Sequence, residues 1–370
     1  MIVAVLGAGQ LGRMLALAGV PLGMKFRFLS TSPGACAGDV GEVVVGPRFD
    51  DEDSIKRLVK GEADIVTYEF ENIPARAIEV AARYAPVLPG ALALTLAQDR
   101  VDEKNFFRSI DIKTPDFHAI ATRHDLDAAA DAVGCPFVLK TRRFGYDGKG
   151  QRVIKSRDEL DSAWEALGAH EGGLIAERFI RFDRELSVIG VRSSRGETAV
   201  YPITQNVHRD GILHTSFAPA PDLSADLVER ANAIVTRAMH EMDYAGVLAI
   251  ELFEVGGDLL VNEMAPRVHN SGHWTIDGAQ TSQFENHIRA ITGLPLGPTS
   301  MRPGIAHAGM LNLVGDHPPV SKLLTVPGAR VHLYGKAPKP GRKVGHLNFG
   351  AASESAVRAS MEAAGTMLPR

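Results

Sequence analysis

The chain has 370 residues, 45% hydrophobic and 23% charged, with a formal net charge of −4. That length predicts two or three domains with a sizeable core, and the composition excludes wholesale disorder. The mild acidity argues against nucleic acid as a partner. No uncharged run approaches the roughly 18–20 apolar residues of a membrane span, so no membrane is expected either.

The first hundred residues alternate short apolar runs with helical patterns. Ile2–Leu6 reads as a buried strand, and its flanks do not resemble a signal peptide. A glycine turn follows, then Leu11, Met14, Leu15 and Ala18 recur at helical spacing. Phe26–Leu29, Val43–Val45 and Ile65–Tyr68 supply further strands, with helices over Asp53–Val59 and Pro74–Arg83. Such alternation predicts a mostly parallel sheet with helices on both faces. The charged stretch Asp99–Asn105 reads as a helix leading to a second domain. From Lys113 to about Ile180 the order is strand, helix, strand, glycine loop, strand, helix, strand. A β-rich stretch over Glu185–Phe217 precedes a helix, Ser224–Asp243, with Ser224 as its cap. Val247–Glu254 and Leu259–Met264 read as a hairpin across Gly256-Gly257. Beyond Gly293 the chain is rich in Pro and Gly, and a small β unit with a last helix over Ser353–Ala364 is expected.

The chemistry-bearing residues fall into separate groups. Gly7-Ala8-Gly9-Gln10-Leu11-Gly12 fits G-x-G-x-x-G between a strand and a helix. The second strand ends in Ser30-Thr31-Ser32 without the acid of a dinucleotide site, which leaves a phosphate-bearing substrate or a structural turn as the other readings. A second group is Lys140, delivered by an apolar strand, with the loop Gly145, Tyr146, Asp147, Gly148, Lys149, Gly150 and Gln151. Glycines allow a lid to close on phosphates, and Lys140 offers a compact charge. A solvated basic hairpin is the alternative. The P-loop spacing is absent.

Glu251 and Glu263 are acids inside apolar strands. A buried carboxylate needs a cation or a hydrogen-bond donor, so the pair reads as a Mg²⁺ site for a nucleotide triphosphate, or as two ion pairs to an arginine such as Arg267. Arg267, His269, Asn270 and His273 form a dense polar loop suited to an anion and lacking a zinc-site pattern. His208 is a loop candidate, equally structural or functional. Arg342 and Lys343 lie in a basic Pro/Gly turn that clamps a phosphate or is simply solvated. The two cysteines, Cys36 and Cys135, form no CxxC pair and fit free thiols in a reducing compartment.

Together these motifs resemble the ATP-grasp superfamily and, within it, the N5-carboxyaminoimidazole ribonucleotide synthetases of purine biosynthesis. The strings that carry the resemblance are Gly9–Met14, the lid Gly145–Gln151, Asp210–Leu213, Asn262–Trp274 and Pro340–His346, spread from residue 7 to 346. The resemblance implies an α/β and α+β multidomain fold. Its parts are a Rossmann-like pre-ATP-grasp parallel sheet (1–100), an ATP-grasp domain (101–295, lid lobe about 113–180) and a small C-terminal β-rich unit (296–370). It implies a cytoplasmic, homodimeric ligase. The enzyme would use ATP, Mg²⁺ or Mn²⁺, and bicarbonate to carboxylate 5-aminoimidazole ribonucleotide through carboxyphosphate.

By the same resemblance, Arg100, Lys140 and Gly145–Gln151 contact the ATP phosphates. Glu177, Arg178, Phe179 and Ile180 form the adenine hinge, Glu185 takes the ribose, and His208 and Asn262 complete the pocket. Glu251 and Glu263 hold the metal, and Arg267, Asn270 and His273 steady carboxyphosphate. Gly9, Gln10 and Leu11 with Arg342 and Lys343 bind the ribonucleotide phosphate, while Glu69, Tyr146 and Asp147 face its ring and ribose. Many ATP-grasp enzymes have Asn two residues after the second metal glutamate. Here that residue is Ala265, which lightens the metal shell by one ligand. Another ATP-grasp ligase or a formyl-transfer enzyme acting on a different ribonucleotide is the near alternative. An NAD-dependent oxidoreductase would leave residues 140–151 and 251–273 unexplained. A non-catalytic nucleotide sensor would not need both glutamates and Lys140.

Overall fold

The structure, a computed structural model, describes residues 1–145, 150–168 and 172–369. The chain begins with β1 (Ile2–Leu6), α1 (Gln10–Gly19), β2 (Lys25–Ser30), β3 (Glu42–Val45), α2 (Glu52–Val59), β4 (Ile65–Tyr68) and α3 (Ala75–Ala81). The four strands form a parallel sheet in the order β3-β2-β1-β4. The apolar runs of β1, β2 and β4 are buried on both faces, as a parallel sheet requires, while the edge strand β3 buries only Val44. Pro74 stands at the N-cap of α3, one place earlier than the predicted first turn, where its missing N–H leaves no donor unpaired.

Two consecutive helices then lead into the next part. α4 (Ala91–Gln98) is a run of Ala and Leu with no polar stripe, and the sequence gives little sign of it. α5 (Arg100–Ser109) is capped by Asp99, whose side chain accepts the Val101 N–H. The same carboxylate also grips Arg142 through Nε and Nη2, at 3.0 and 2.8 Å. One residue thereby starts a helix and anchors the loop after a strand of the lid.

The lid consists of β5 (Phe117–Ile120), α6 (Arg123–Val133), β6 (Phe137–Thr141), β7 (Gln151–Ile154), α7 (Leu160–Leu167) and β8 (Leu174–Arg178), in the predicted order. Its antiparallel sheet runs β5-β8-β6-β7 and has its own core, built on Leu126, Phe137, Leu139 and Ala176.

The largest sheet contains β9 (Arg184–Arg192), β10 (Thr198–Val200), β11 (Thr204–Arg209) and β12 (Ile212–Ala218). After α8 (Ala225–Glu241), capped by Ser224, it continues with β13 (Gly246–Val255) and β14 (Asp258–Ala265). The β13–β14 turn is Gly256-Gly257, both at positive φ (56° and 83°), the backbone a tight two-residue hairpin needs. Next come α9 (Thr275–Gly278), α10 (Gln283–Thr292), β15 (His307–Val314), α11 (Val320–Leu323), β16 (Arg330–Leu333), β17 (Lys343–Ala351) and α12 (Glu354–Gly365). The strand order is β14-β13-β9-β11-β12-β15-β17-β16, with β10 paired to β9. The C-terminal β-rich part therefore extends the central sheet through the β12–β15 pairing.

The largest core cluster joins the N-terminal unit to this sheet. Leu11, Met14 and Leu15 of α1 pack with Phe284, Ile288 and Ile291 of α10 over Ile189 and Val247. Burying each such side chain contributes roughly 1.5–3 kcal/mol, so the two units share one hydrophobic interior. Among the described residues no helix is long and apolar enough to cross a membrane.

Candidate active site

A cleft of about 920 Å³ lies between the N-terminal sheet, the lid and the central sheet. On its lid side stand Lys140, Gly145, Gln151, Val153 and Phe179; on its floor, Glu185, His208, Glu251, Asn262 and Glu263. The same cleft is lined by Gly9, Gln10, Leu11 and Glu69 with Lys336, Arg342 and Lys343. Arg267, Asn270 and His273 line it as well. Sequence positions 9 and 343 thus share one cavity. Tyr146, Asp147, Gly148 and Lys149 lie outside the described residues. Arg178 and Ile180 line a separate depression beside Arg108 and Asp116, and of the expected hinge residues 177–180 only Phe179 is among those lining the cleft.

Glu251 and Glu263 are direct partners across the β13–β14 ladder. Their unlike surroundings separate their acidities. Burial pushes the Glu251 carboxyl upward, and the neighbouring Glu263 charge adds to it. Burial would raise Glu263 as well, but Arg100, whose Nη1 lies 2.8 Å from Oε2, and Lys140 outweigh it and hold it low. Arg267 pairs with neither acid. It donates from Nε to Glu71 at 2.6 Å. His269 Nε2 lies 3.6 Å from Glu251, and burial holds its imidazole down to about 3, hence neutral.

Lys140 donates to Glu177 at 3.0 Å, and buried Lys104 lies 3.4 Å from the same oxygen. Burial opposes the Glu177 charge, but these two lysines and Arg100 more than offset it and hold the carboxyl far below its usual range. Among the described residues Glu177 Oε1 and Asn262 Oδ1 are buried without a hydrogen-bond partner. Such orphan acceptors are expensive and fit a site built for a ligand. Glu185 and His208 are paired at 2.7 Å. Burial lowers His208, but that bond and the nearby acids prevail and raise it.

Asn270 and Asn312 exchange amide contacts at 3.1 and 2.6 Å, and Gln283 Nε2 approaches His273 Nδ1 at 3.3 Å. The glycine loop departs from the anion-cradle expectation in one respect. The N–H groups of Gly9 and Gly12 both go to the Glu69 carboxylate, with Gly12 at 2.7 Å. Lys336, paired with Gln10, lines the cleft together with Arg342 and Lys343.

The sequence reading missed five contributors: Glu71, Glu103, Lys104, Asn312 and Lys336. Only Lys336 left a signal, as a lysine after Gly335 shortly before the basic turn.

A lysine-bearing strand, a glycine loop, a separate antiparallel lid and two opposed acids on a hairpin define an ATP-grasp protein. The ATP-grasp domain family model matches residues 105–284. The ribonucleotide synthetase preATP-grasp domain model matches 1–98, and the phosphoribosylaminoimidazole carboxylase C-terminal domain model matches 308–360. The chain belongs to the N5-carboxyaminoimidazole ribonucleotide synthase family. It is 46% identical over 357 residues to the synthase of that name from Pseudomonas aeruginosa, covering 96% of both chains. The crystal structure of the Thermus thermophilus synthetase superposes with a TM-score of 0.94 at 49% identity, covering 100% of this chain and 99% of that one. The Aspergillus clavatus synthase, solved in complex with ADP and 5-aminoimidazole ribonucleotide, superposes at 0.90 with 30% identity, covering 99% and 98%.

Proposed function

We propose that this protein carboxylates the exocyclic amine of 5-aminoimidazole ribonucleotide, using ATP and bicarbonate, in purine biosynthesis. The observation that carries the reading is that one cleft is lined by all the groups the reaction needs. Arg100 and Lys140, the opposed acids Glu251 and Glu263, Arg267, Asn270 and His273, and the cations Lys336, Arg342 and Lys343 all face it.

A bicarbonate oxygen attacks the γ-phosphorus, the bond to the β-phosphate oxygen breaks, and ADP leaves. The resulting carboxyphosphate releases CO₂ and inorganic phosphate. The exocyclic amine nitrogen bonds to the CO₂ carbon and gives up a proton. Arg100 and Lys140 neutralise the triphosphate, exchanging Glu263 and Glu177 for phosphate oxygens. Phe179 and the hinge backbone take the adenine, and Glu185 the ribose. Arg267, oriented by Glu71, and Asn270, oriented by Asn312, steady carboxyphosphate beside His273. Glu69 faces the ribonucleotide, whose phosphate meets the cations Lys336, Arg342 and Lys343. The lid keeps water from carboxyphosphate.

Glu251 and Glu263 are the residues suited to Mg²⁺ or Mn²⁺, which supplies charge neutralisation to the transferring phosphoryl group. Hard oxygen donors facing one another, with the Asn262 side-chain Oδ1 unpartnered beside them, fit such an ion. Among the described residues no cluster of three or more His, Cys, Asp or Glu side chains would hold a metal alone, so nucleotide oxygens would complete the shell. A homodimer and a cytoplasmic setting belong to the same reading. The family resemblance supports the first, and the free thiols Cys36 and Cys135 support the second.

The test is ADP release with 5-aminoimidazole ribonucleotide and bicarbonate, against formate in place of bicarbonate. Turnover only with bicarbonate, with [¹⁴C]bicarbonate entering the ribonucleotide, is expected. Turnover with formate alone would overturn the reading. Sedimentation velocity tests the dimer.

A further inference from the structure

The strand that carries Glu263 is irregular at that point. Glu251 pairs with Glu263 but Leu252 pairs with Val261, so Asn262 is an extra residue on β14. β14 is also the edge of the central sheet. A bulged edge strand leaves backbone groups to be satisfied from elsewhere. Here they are satisfied from α5. Lys104 donates to the Asn262 carbonyl at 3.0 Å, and the Met264 N–H donates to Glu103 Oε1 at 2.6 Å. Arg100, one turn earlier, holds the Glu263 side chain. Three consecutive residues of β14 are thus each held by a different side chain of one helix.

Glu103 is 2% exposed and Lys104 1%. Burying a carboxylate and an ammonium is expensive, and a pair of apolar side chains would pack the same space at least as well. What these two polar side chains add is a fixed place for the backbone on both sides of Glu263. Misplacing a reactive or ligating group by about 1 Å can cost roughly 100-fold in rate.

We infer that Glu103 and Lys104 are positioning residues, which clamp the bulge at Asn262–Met264 and so set where the Glu263 carboxylate meets the metal–nucleotide complex. This rests on Glu251 and Glu263 being the metal ligands. Glu103 reaches the cleft wall with its Oε1 taken by the Met264 N–H, and Lys104 is not among the residues that line the cleft. Lys104 also keeps Glu177 paired when Lys140 turns to the nucleotide, since it lies 3.4 Å from that acid.

The experiment is calorimetric binding of ATP with and without Mn²⁺ to the whole protein. Glu103→Met and Glu103→Asp remove or withdraw the acceptor from the Met264 N–H, while Glu103→Gln keeps an oxygen in reach. The first two are expected to weaken Mn²⁺–ATP binding at least 10-fold and leave metal-free ATP binding within 2-fold. Glu103→Gln is expected to stay within 3-fold on both. The aspartate variant, which keeps charge and polarity, serves where the methionine variant does not fold. A lower melting temperature with unchanged Mn²⁺–ATP affinity would reduce the clamp to an edge-strand cap and overturn the inference. So would equal weakening with and without metal. Wild-type protein whose ATP affinity ignores Mn²⁺ would instead overturn the metal assignment beneath it.

Discussion

The Glu69 carboxylate occupies the glycine loop, accepting the Gly12 N–H at 2.7 Å and the Gly9 N–H beside it. An approach this close depends on the missing side chain at residue 9, where a Cβ would lie 2.7 Å from Glu69 Oε1. Gly9→Ala should therefore displace Glu69. KM for the ribonucleotide is expected to rise about 10-fold or more, the loss of one to two hydrogen bonds to a charged group, with KM for ATP unchanged. Steady-state kinetics with each substrate varied checks this. Equal effects on both would show that the loop serves general packing.

Glu251→Gln and Glu263→Gln should both reduce ADP formation by at least about 1000-fold, as expected for loss of a metal ligand in phosphoryl transfer. Their stabilities should diverge. Glu251 is strained by burial and by its neighbour's charge, so a neutral amide there leaves stability unchanged or improved. Glu263→Gln leaves Arg100 without its ion-pair partner and should cost about 1–3 kcal/mol. Urea unfolding of the two variants decides; the reverse ranking would contradict the electrostatic description of the pair.

Arg267 is held by Glu71 across 196 positions of sequence. Burial opposes the Glu71 charge, but Arg267 prevails and keeps the carboxyl low. Glu71→Gln should leave the guanidinium loosely oriented. A fall in kcat of about 10-fold, with ATP affinity intact, is expected for one lost charge-assisted hydrogen bond. An unchanged kcat would remove Glu71 from the site.

The pH dependence of stability follows from histidines buried in neutral form. His287 accepts the Val247 N–H at Nδ1 and meets Thr67 at Nε2, and burial lowers its imidazole to about 3. Burial likewise lowers His269, His273 and His346. Below the unfolded value near 6.5, the unfolded chain binds a proton that the folded one refuses. The contribution is whole above that value and drains away as the pH falls toward 3. At pH 5, His287 alone accounts for roughly 2 kcal/mol. His287→Gln should shrink the stability loss between pH 7 and pH 5 by about that amount. Identical slopes for variant and wild type would refute it.

The parts of this fold written in local patterns were legible. The Gly256-Gly257 turn between alternating strands announced the hairpin that opposes Glu251 to Glu263, and Ser224 marked the start of α8. Arrangements carried by distant partners were not. Lys104 meets Asn262 across 158 positions, and the Asn270–Asn312 exchange spans 42. Neither leaves a periodic trace. α4 escaped notice because its Ala and Leu residues give no polar face against which to read a stripe. The glycine loop was recognised as a place of close approach, but the group that approaches it, Glu69, comes from the end of another strand.

The central sheet has a geometric corollary. From β13 to β17 there are five strand-to-strand steps, which in a flat sheet would span about 24 Å. Yet Lys343, on β17, and Glu251, on β13, line one cleft. The sheet therefore curves around the cleft, so that strands five steps apart face one hollow. Ladder hydrogen bonds tie that wall together from strand to strand, while the lid is a separate four-stranded sheet outside the ladder. A short-lived intermediate is then enclosed by a bonded wall on one side and a separate cover on the other.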